Sequence, residues 1–198
     1  MLETKPSPLR SPELLSRDAS RLLIIDVQEK LVPKIANLDR MLANCRLLIQ
    51  GAKILSVPVF ATEQYPKGLG KLVPELAELL DKPSEKLRFS CAEVLEWGVA
   101  AQTAEDRFQI VVAGMEAHVC VLQTVLDLLA TGFQVFVAAD AVSSRSELDW
   151  QIALERMSTG GATIVTAESV LFEWCEVSGT PEFKQISQLI KDRESSTA

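Results

Sequence analysis

The run Arg21–Val27, RLLIIDV, decides how the rest of the chain is read. Leu22, Leu23, Ile24 and Ile25 follow one another with no polar alternation, and the run closes on Asp26. A strand wetted on one side alternates polar and apolar residues. A strand without alternation is covered on both faces, as in a parallel sheet with helices above and below it.

Working outward, Leu38–Ser56 carries apolar residues at Met41, Leu42, Cys45, Leu48, Ile49 and Ala52, one stripe of a helix. VPVFATEQ (57–64) reads as a second strand, and KLVPELAELL (71–80) as a short helix with Pro74 in its first turn. SEKLRFS (84–90) is a weak third strand and CAEVLEWGVAAQ (91–102) a helix. FQIVVAG (108–114) is a strong strand, followed by the helix AHVCVLQTVLDLLATG with Gly132 as its stop. FQVFVAAD (133–140), the helix 146–160 and ATIVTA (162–167) continue the alternation, and AESVLFEWC and PEFKQISQLI close the chain as helices. Six buried strands alternating with helices predict an α/β fold, Rossmann-like: a doubly wound six-stranded parallel sheet in order 3-2-1-4-5-6 with helices on both faces. DVQEKLVP follows strand one, so the glycine fingerprint of a dinucleotide site is missing.

With 198 residues, 47% of them hydrophobic, the chain fits one domain, assigned to residues 21–192. Residues 1–20, rich in Pro and Ser, read as an N-terminal arm, and 193–198 as a flexible tail. No apolar run reaches the ~20 residues of a membrane span, and the N-terminus lacks a secretory h-region, so a cytoplasmic protein is expected. A formal charge of −7 with scattered basic residues argues against a nucleic-acid partner or a nuclease. The four cysteines show no CxxC spacing and are expected as free thiols. Trp97, Trp150 and Trp174, with the apolar C-terminal helices, are candidates for either core packing or a subunit interface.

In such a sheet a ligand binds beyond the carboxyl ends of the strands where their order reverses, here between strands one and four. Asp26 ends strand one, and Cys120 stands on the first turns of the helix after strand four, so both should face one crevice. A helix N-terminus stabilises a thiolate, and its amides can receive a developing oxyanion. A nearby carboxylate can take the thiol's proton. On topology alone a loop-capping aspartate and a small core thiol explain the pair equally well. Cys45, Cys91 and Cys175 are read as structural. His118, the sole histidine, lies two residues from Cys120 and points about 200° away around a helix, so it reads as a rim or subunit-contact residue and not as a base.

Several stretches, LLIIDVQEK, VPVFATEQYPKGLG, EKLRFSC, VVAGMEAHVCVLQTVLDLLATGFQVFVAADAVSSRS and ALERMSTGGATIVTAESVLFE, together resemble the isochorismatase-like cysteine hydrolases. TEQYPKGLG and DAVSSRS bring the chain nearest to the orphan branch called isochorismatase domain-containing proteins. The resemblance implies a triad of Asp26 as general base, Lys86 of KLRFS as the orienting cation and Cys120 as nucleophile. It also implies a cis peptide at Met115–Glu116 that aims the amides of Glu116 and Cys120 at an oxyanion. Gln64, Tyr65 and Ala117 are then expected at the substrate. Where the family's nicotinamidases carry an Asp-x-His metal motif, this chain reads Glu63-Gln64-Tyr65, so neither a metal nor a cofactor is expected.

The implied function is hydrolysis of a small amide or related carbonyl compound through a thioester. A catalytically vestigial member acting as a binding or scaffold module is the alternative. By the same resemblance the protein is expected as a homodimer or higher homo-oligomer.

Overall fold

The structure, a computed structural model, describes residues 10–102 and 106–197. Six strands, β1 (Ser20–Ile25), β2 (Val59–Gln64), β3 (Ser84–Lys86), β4 (Gln109–Met115), β5 (Gln134–Ser143) and β6 (Thr163–Val165), form one sheet in the order β3-β2-β1-β4-β5-β6. Every neighbouring pair is parallel, as the unalternating strands require. All six residues of β1 and all seven of β4 are buried.

The pleat divides the core into two layers. Leu22 and Ile24 of β1, with Val111, Ala113 and Met115 of β4, pack under α1 (Leu38–Ile54), α7 (Ala167–Cys175) and α8 (Pro181–Thr197). Leu23 and Ile25, with Ile110 and Val112, pack under α5 (Leu122–Ala130) and α6 (Glu147–Thr159). Met41, Cys45, Leu48, Ile49 and Ala52 are the buried stripe of α1, as its periodicity predicts. Trp174 is core, with its Nε1–H donating to Ser20 Oγ at 2.9 Å.

Three single-turn helices, α2 (Pro66–Leu69), α3 (Pro74–Ala77) and α4 (Ala92–Leu95), lie in the connections of the β3 half of the sheet. The helix expected over 91–102 is broken into α4 and a 3-10 turn at Ala100–Gln102. Glu96 and Gly98 take positive φ between them, and the Trp97 ring meets Phe60 edge-on at 5.1 Å. The helix expected from Ala117 begins instead as a π turn, Ala117–Val121, before α5.

Of the N-terminal arm, residues 1–9 lie outside the described residues. Leu15 is fully buried, and its N–H donates to Glu173 Oε2 at 2.8 Å, which fastens the rest of the arm to α7. Ser20 already belongs to β1, and α8 continues to Thr197 through most of the segment read as a tail. Among the described residues no helix is long and apolar enough to cross a membrane.

Candidate active site

Asp26 leaves the end of β1 with φ 51°, a left-handed conformation that aspartate tolerates better than most residues. Beside it β4 comes close because Gly114 has no side chain: a Cβ there would run into the backbone of Ile25. The close approach of β1 and β4 brings the ends of both strands to one point, as the predicted strand order requires. Asp26 is fully buried and Cys120 is 6% exposed.

Lys86 ends β3 and pairs in register with Gln64 of β2. From there its side chain spans the β2 edge to Asp26, with Nζ 2.7 Å from Asp26 Oδ2. The ammonium also donates to Gln64 Oε1 at 2.7 Å and to Phe89 O at 2.8 Å, with Arg88 O at 3.3 Å. An ammonium has three N–H donors, so all three are engaged by protein acceptors. Lys86 is therefore a buried counter-ion to Asp26. The second carboxylate oxygen, Oδ1, accepts from Thr62 Oγ1 at 2.8 Å.

Burial pushes the Cys120 thiol pKa up, and the Asp26 charge beside it pushes the same way, while Lys86 pulls it down. The resting sulfur is thus a thiol with a carboxylate at hand to receive its proton. His118 is turned elsewhere: its Nδ1 lies 3.0 Å from Ser144 Oγ.

The other expected site residues separate into two groups. Tyr65, half exposed with φ 37°, lines a cavity of about 660 Å³ together with Lys86, Leu87, Arg88, Ser90 and Val94. Gln64 is buried, with its Oε1 accepting from Lys86 and its Nε2 donating to Leu87 O at 2.7 Å. Gln28 fixes Gln64 in turn, accepting from its N–H at 2.8 Å and donating to its carbonyl at 2.9 Å. Ala117 is fully buried in the π turn. The Met115–Glu116 peptide is cis, and the Glu116 carboxylate pairs with Arg145 at 2.6 Å. A further cavity, about 460 Å³ between α1, α3 and α8, contains none of the candidate residues.

Sequence reading passed over Thr62 and took Cys91 as structural. Thr62 sits in an apolar strand where a β-branched residue is unremarkable, and Cys91 looks like any buried thiol. Cys91 Sγ lies 3.4 Å from Thr62 Oγ1, and burial pushes its pKa up to about 11.

Residues 20–169 match the family model described as the isochorismatase domain. The chain belongs to the isochorismatase family. Isochorismatase domain-containing protein 2 of Danio rerio is 40% identical over 177 residues, covering 89% of each chain. The structure called MAR1 ribonuclease from Caenorhabditis elegans is 38% identical and superposes with a TM-score of 0.82, covering 89% of this chain and 92% of that one. The YcaC gene product of Escherichia coli, described as an octameric hydrolase of unknown specificity, shares the isochorismatase fold at a TM-score of 0.81 with 24% identity, covering 96% and 97% of the two chains.

Proposed function

We propose that this chain is a cofactor-independent cysteine hydrolase acting on a small amide or related carbonyl compound. The observation that carries the reading is the buried Asp26–Lys86 pair, 2.7 Å apart, with the Cys120 thiol against the same carboxylate. In this mechanism Asp26 accepts the S–H proton as the sulfur attacks the carbonyl carbon. The amides of Glu116 and Cys120 receive the oxyanion. The C–N bond breaks as Asp26 returns the proton to the leaving amine, and a thioester remains on Cys120. Water then attacks the thioester with Asp26 again as base, releasing the acid and restoring the thiol. Lys86 holds the Asp26 carboxyl group in place through the proton transfers. Tyr65 supplies an aromatic wall to the cavity beside Lys86, whose lining includes neither Asp26 nor Cys120. A cytosolic homodimer or larger assembly accompanies this reading, with Leu148 and Ile152 exposed one turn apart on α6. Sedimentation at micromolar concentration tests the assembly, and a single monomer would contradict it.

Mass spectrometry after exposure to a panel of small amides should find an acyl adduct on Cys120. Absence of any adduct, with activity unchanged in Cys120→Ala, would sink the covalent mechanism. Partner capture from extract that survives loss of the triad would favour the vestigial scaffold instead. A second reading comes from the name of the Caenorhabditis elegans relative, a ribonuclease at 38% identity. The net charge of −7 weighs against it, and cleavage of labelled RNA that disappears in Asp26→Asn would establish it.

A further inference from the structure

Cys91 is fully buried and lies five residues after Lys86, at the start of α4. Both of its donors reach the candidate pair through a threonine. The hydroxyl of Thr62 has one proton, and that proton is committed to Asp26 Oδ1, since a carboxylate paired with an ammonium can only accept. The 3.4 Å contact between Cys91 Sγ and Thr62 Oγ1 therefore runs from sulfur to oxygen, with the S–H donating. The hydroxyl of Thr124 likewise has one proton, which goes to the carbonyl of Cys120 at 2.7 Å. The backbone N–H of Cys91 donates to that same oxygen at 2.9 Å.

One residue thus holds both halves of the pair: S–H to Thr62 to Asp26 on one side, N–H to Thr124 to Cys120 on the other. We infer that Cys91 is a positioning residue that sets the Asp26 carboxylate against the Cys120 turn through Thr62 and Thr124. The inference rests on the reading of Asp26 and Cys120 as base and nucleophile. Each hydroxyl accepts from Cys91 and donates onward, so the first bond polarises the second. Burial and the neighbouring Asp26 charge hold the Cys91 thiol protonated at neutral pH, so the donor is always present.

The consequence is readable without a substrate. Weakening the Thr62 donation concentrates charge on the Asp26 carboxylate, which disfavours the thiolate of Cys120 beside it. Iodoacetamide labelling of Cys120, followed by peptide mass across the neutral-to-alkaline range, reports the thiolate. Cys91→Ala should move the labelling profile to higher pH and slow labelling at neutral pH measurably, but by less than the roughly threefold to tenfold that loss of the whole Thr62 hydrogen bond carries. Cys91→Ser, which keeps a donor, should restore most of the rate. Thr62→Val should slow labelling by that full factor, about threefold to tenfold and more than Cys91→Ala, and the double variant should be no slower than Thr62→Val.

If Cys91→Ala does not fold, Thr62→Val carries the test with a second readout. The infrared S–H stretch assigned to Cys91 by difference against Cys91→Ser should shift when Thr62 no longer accepts. A wild-type labelling profile in Cys91→Ala or Thr62→Val, or an unmoved S–H band, overturns the inference. Asp26→Asn separates the two levels. If it moves the Cys120 profile while Cys91→Ala does not, only the positioning role falls. If Asp26→Asn moves nothing, the base–nucleophile pair falls and this inference with it.

Discussion

Replacing Lys86 with Met removes one charge from a site where neither partner can find water. The side chains of Lys86 and Asp26 are 1% and 0% exposed, and the ammonium is the sole cation paired with Asp26 among the described residues. Left alone, a buried carboxylate either stays ionised at a cost of several kcal/mol or takes up a proton. Neutralising an aspartic side chain costs about 1.4 kcal/mol for each pH unit above its ordinary value near 3.9, so about 4 kcal/mol at pH 7 and about 1.5 kcal/mol at pH 5. Gln64 Oε1 and Phe89 O also lose a donor, adding about 1 kcal/mol each. The expected loss is therefore about 6 kcal/mol near pH 7, shrinking to about 3.5 kcal/mol near pH 5.

The sign follows from proton counting. The folded variant holds one proton more on Asp26 than the unfolded chain does, so its stability falls as pH rises. Urea unfolding of wild type and Lys86→Met over this range measures the difference. A variant unfolded at neutral pH should refold on mild acidification. A loss below about 1 kcal/mol, or one that does not change with pH, would refute the account of Lys86 as a counter-ion.

Gly114→Ala should cost about 3 kcal/mol or more, since the new Cβ meets the Ile25 backbone at a φ of 118°, and thermal melting will read it. Thr166→Ala removes the half of the capping box that opens α7 in which the Thr166 hydroxyl accepts from the Ser169 N–H, and should lower stability by about 1 kcal/mol in urea titrations. At alkaline pH the buried thiols set the limit. Burial raises Cys45 from 9.0 to about 12 and Cys91 from 9.0 to about 11, so both are neutral in the fold where the unfolded chain has ionised. Stability should hold below pH 9 and decline above it, and Cys45→Ala should flatten part of that decline.

The sheet and the meeting of Asp26 with Cys120 were legible because both depend on long-period features. Unalternating strands imply a parallel sheet, parallel sheets imply crossovers, and the crossovers fix which strand ends meet. What escaped depends on single atoms. The π turn at Ala117–Val121 has no composition signal, because HVCV suits an α-helix as well. Its wider turn leaves the angular argument about His118 approximate, yet the conclusion stands on the Ser144 contact. Gln64 was expected at the substrate through the resemblance alone. It faces inward because Lys86 needs a neutral acceptor besides Asp26, and Gln64 is its register partner.

Lys86 shows why a topology argument stops where it does. Its strand is three residues long and stands at the sheet edge, two strands from Asp26. Strand order alone places its backbone away from the crevice, so only resemblance put it there. The long side chain closes that gap across β2, and burial makes the closure binding, because a charged amine cannot stop halfway through an apolar interior without partners. Once Lys86 is anchored, the segment after it, Leu87 to Cys91, is fixed at both ends: by the ammonium on the Arg88 and Phe89 carbonyls, and by Thr124 on the Cys91 amide. The short β3 strand therefore delivers two groups to Asp26, a cation to Oδ2 directly and a thiol donor to Oδ1 through Thr62. An edge strand with little sheet pairing of its own is held by the charge it carries inward, so the geometry of the site and the stability of that edge are set by the same contacts.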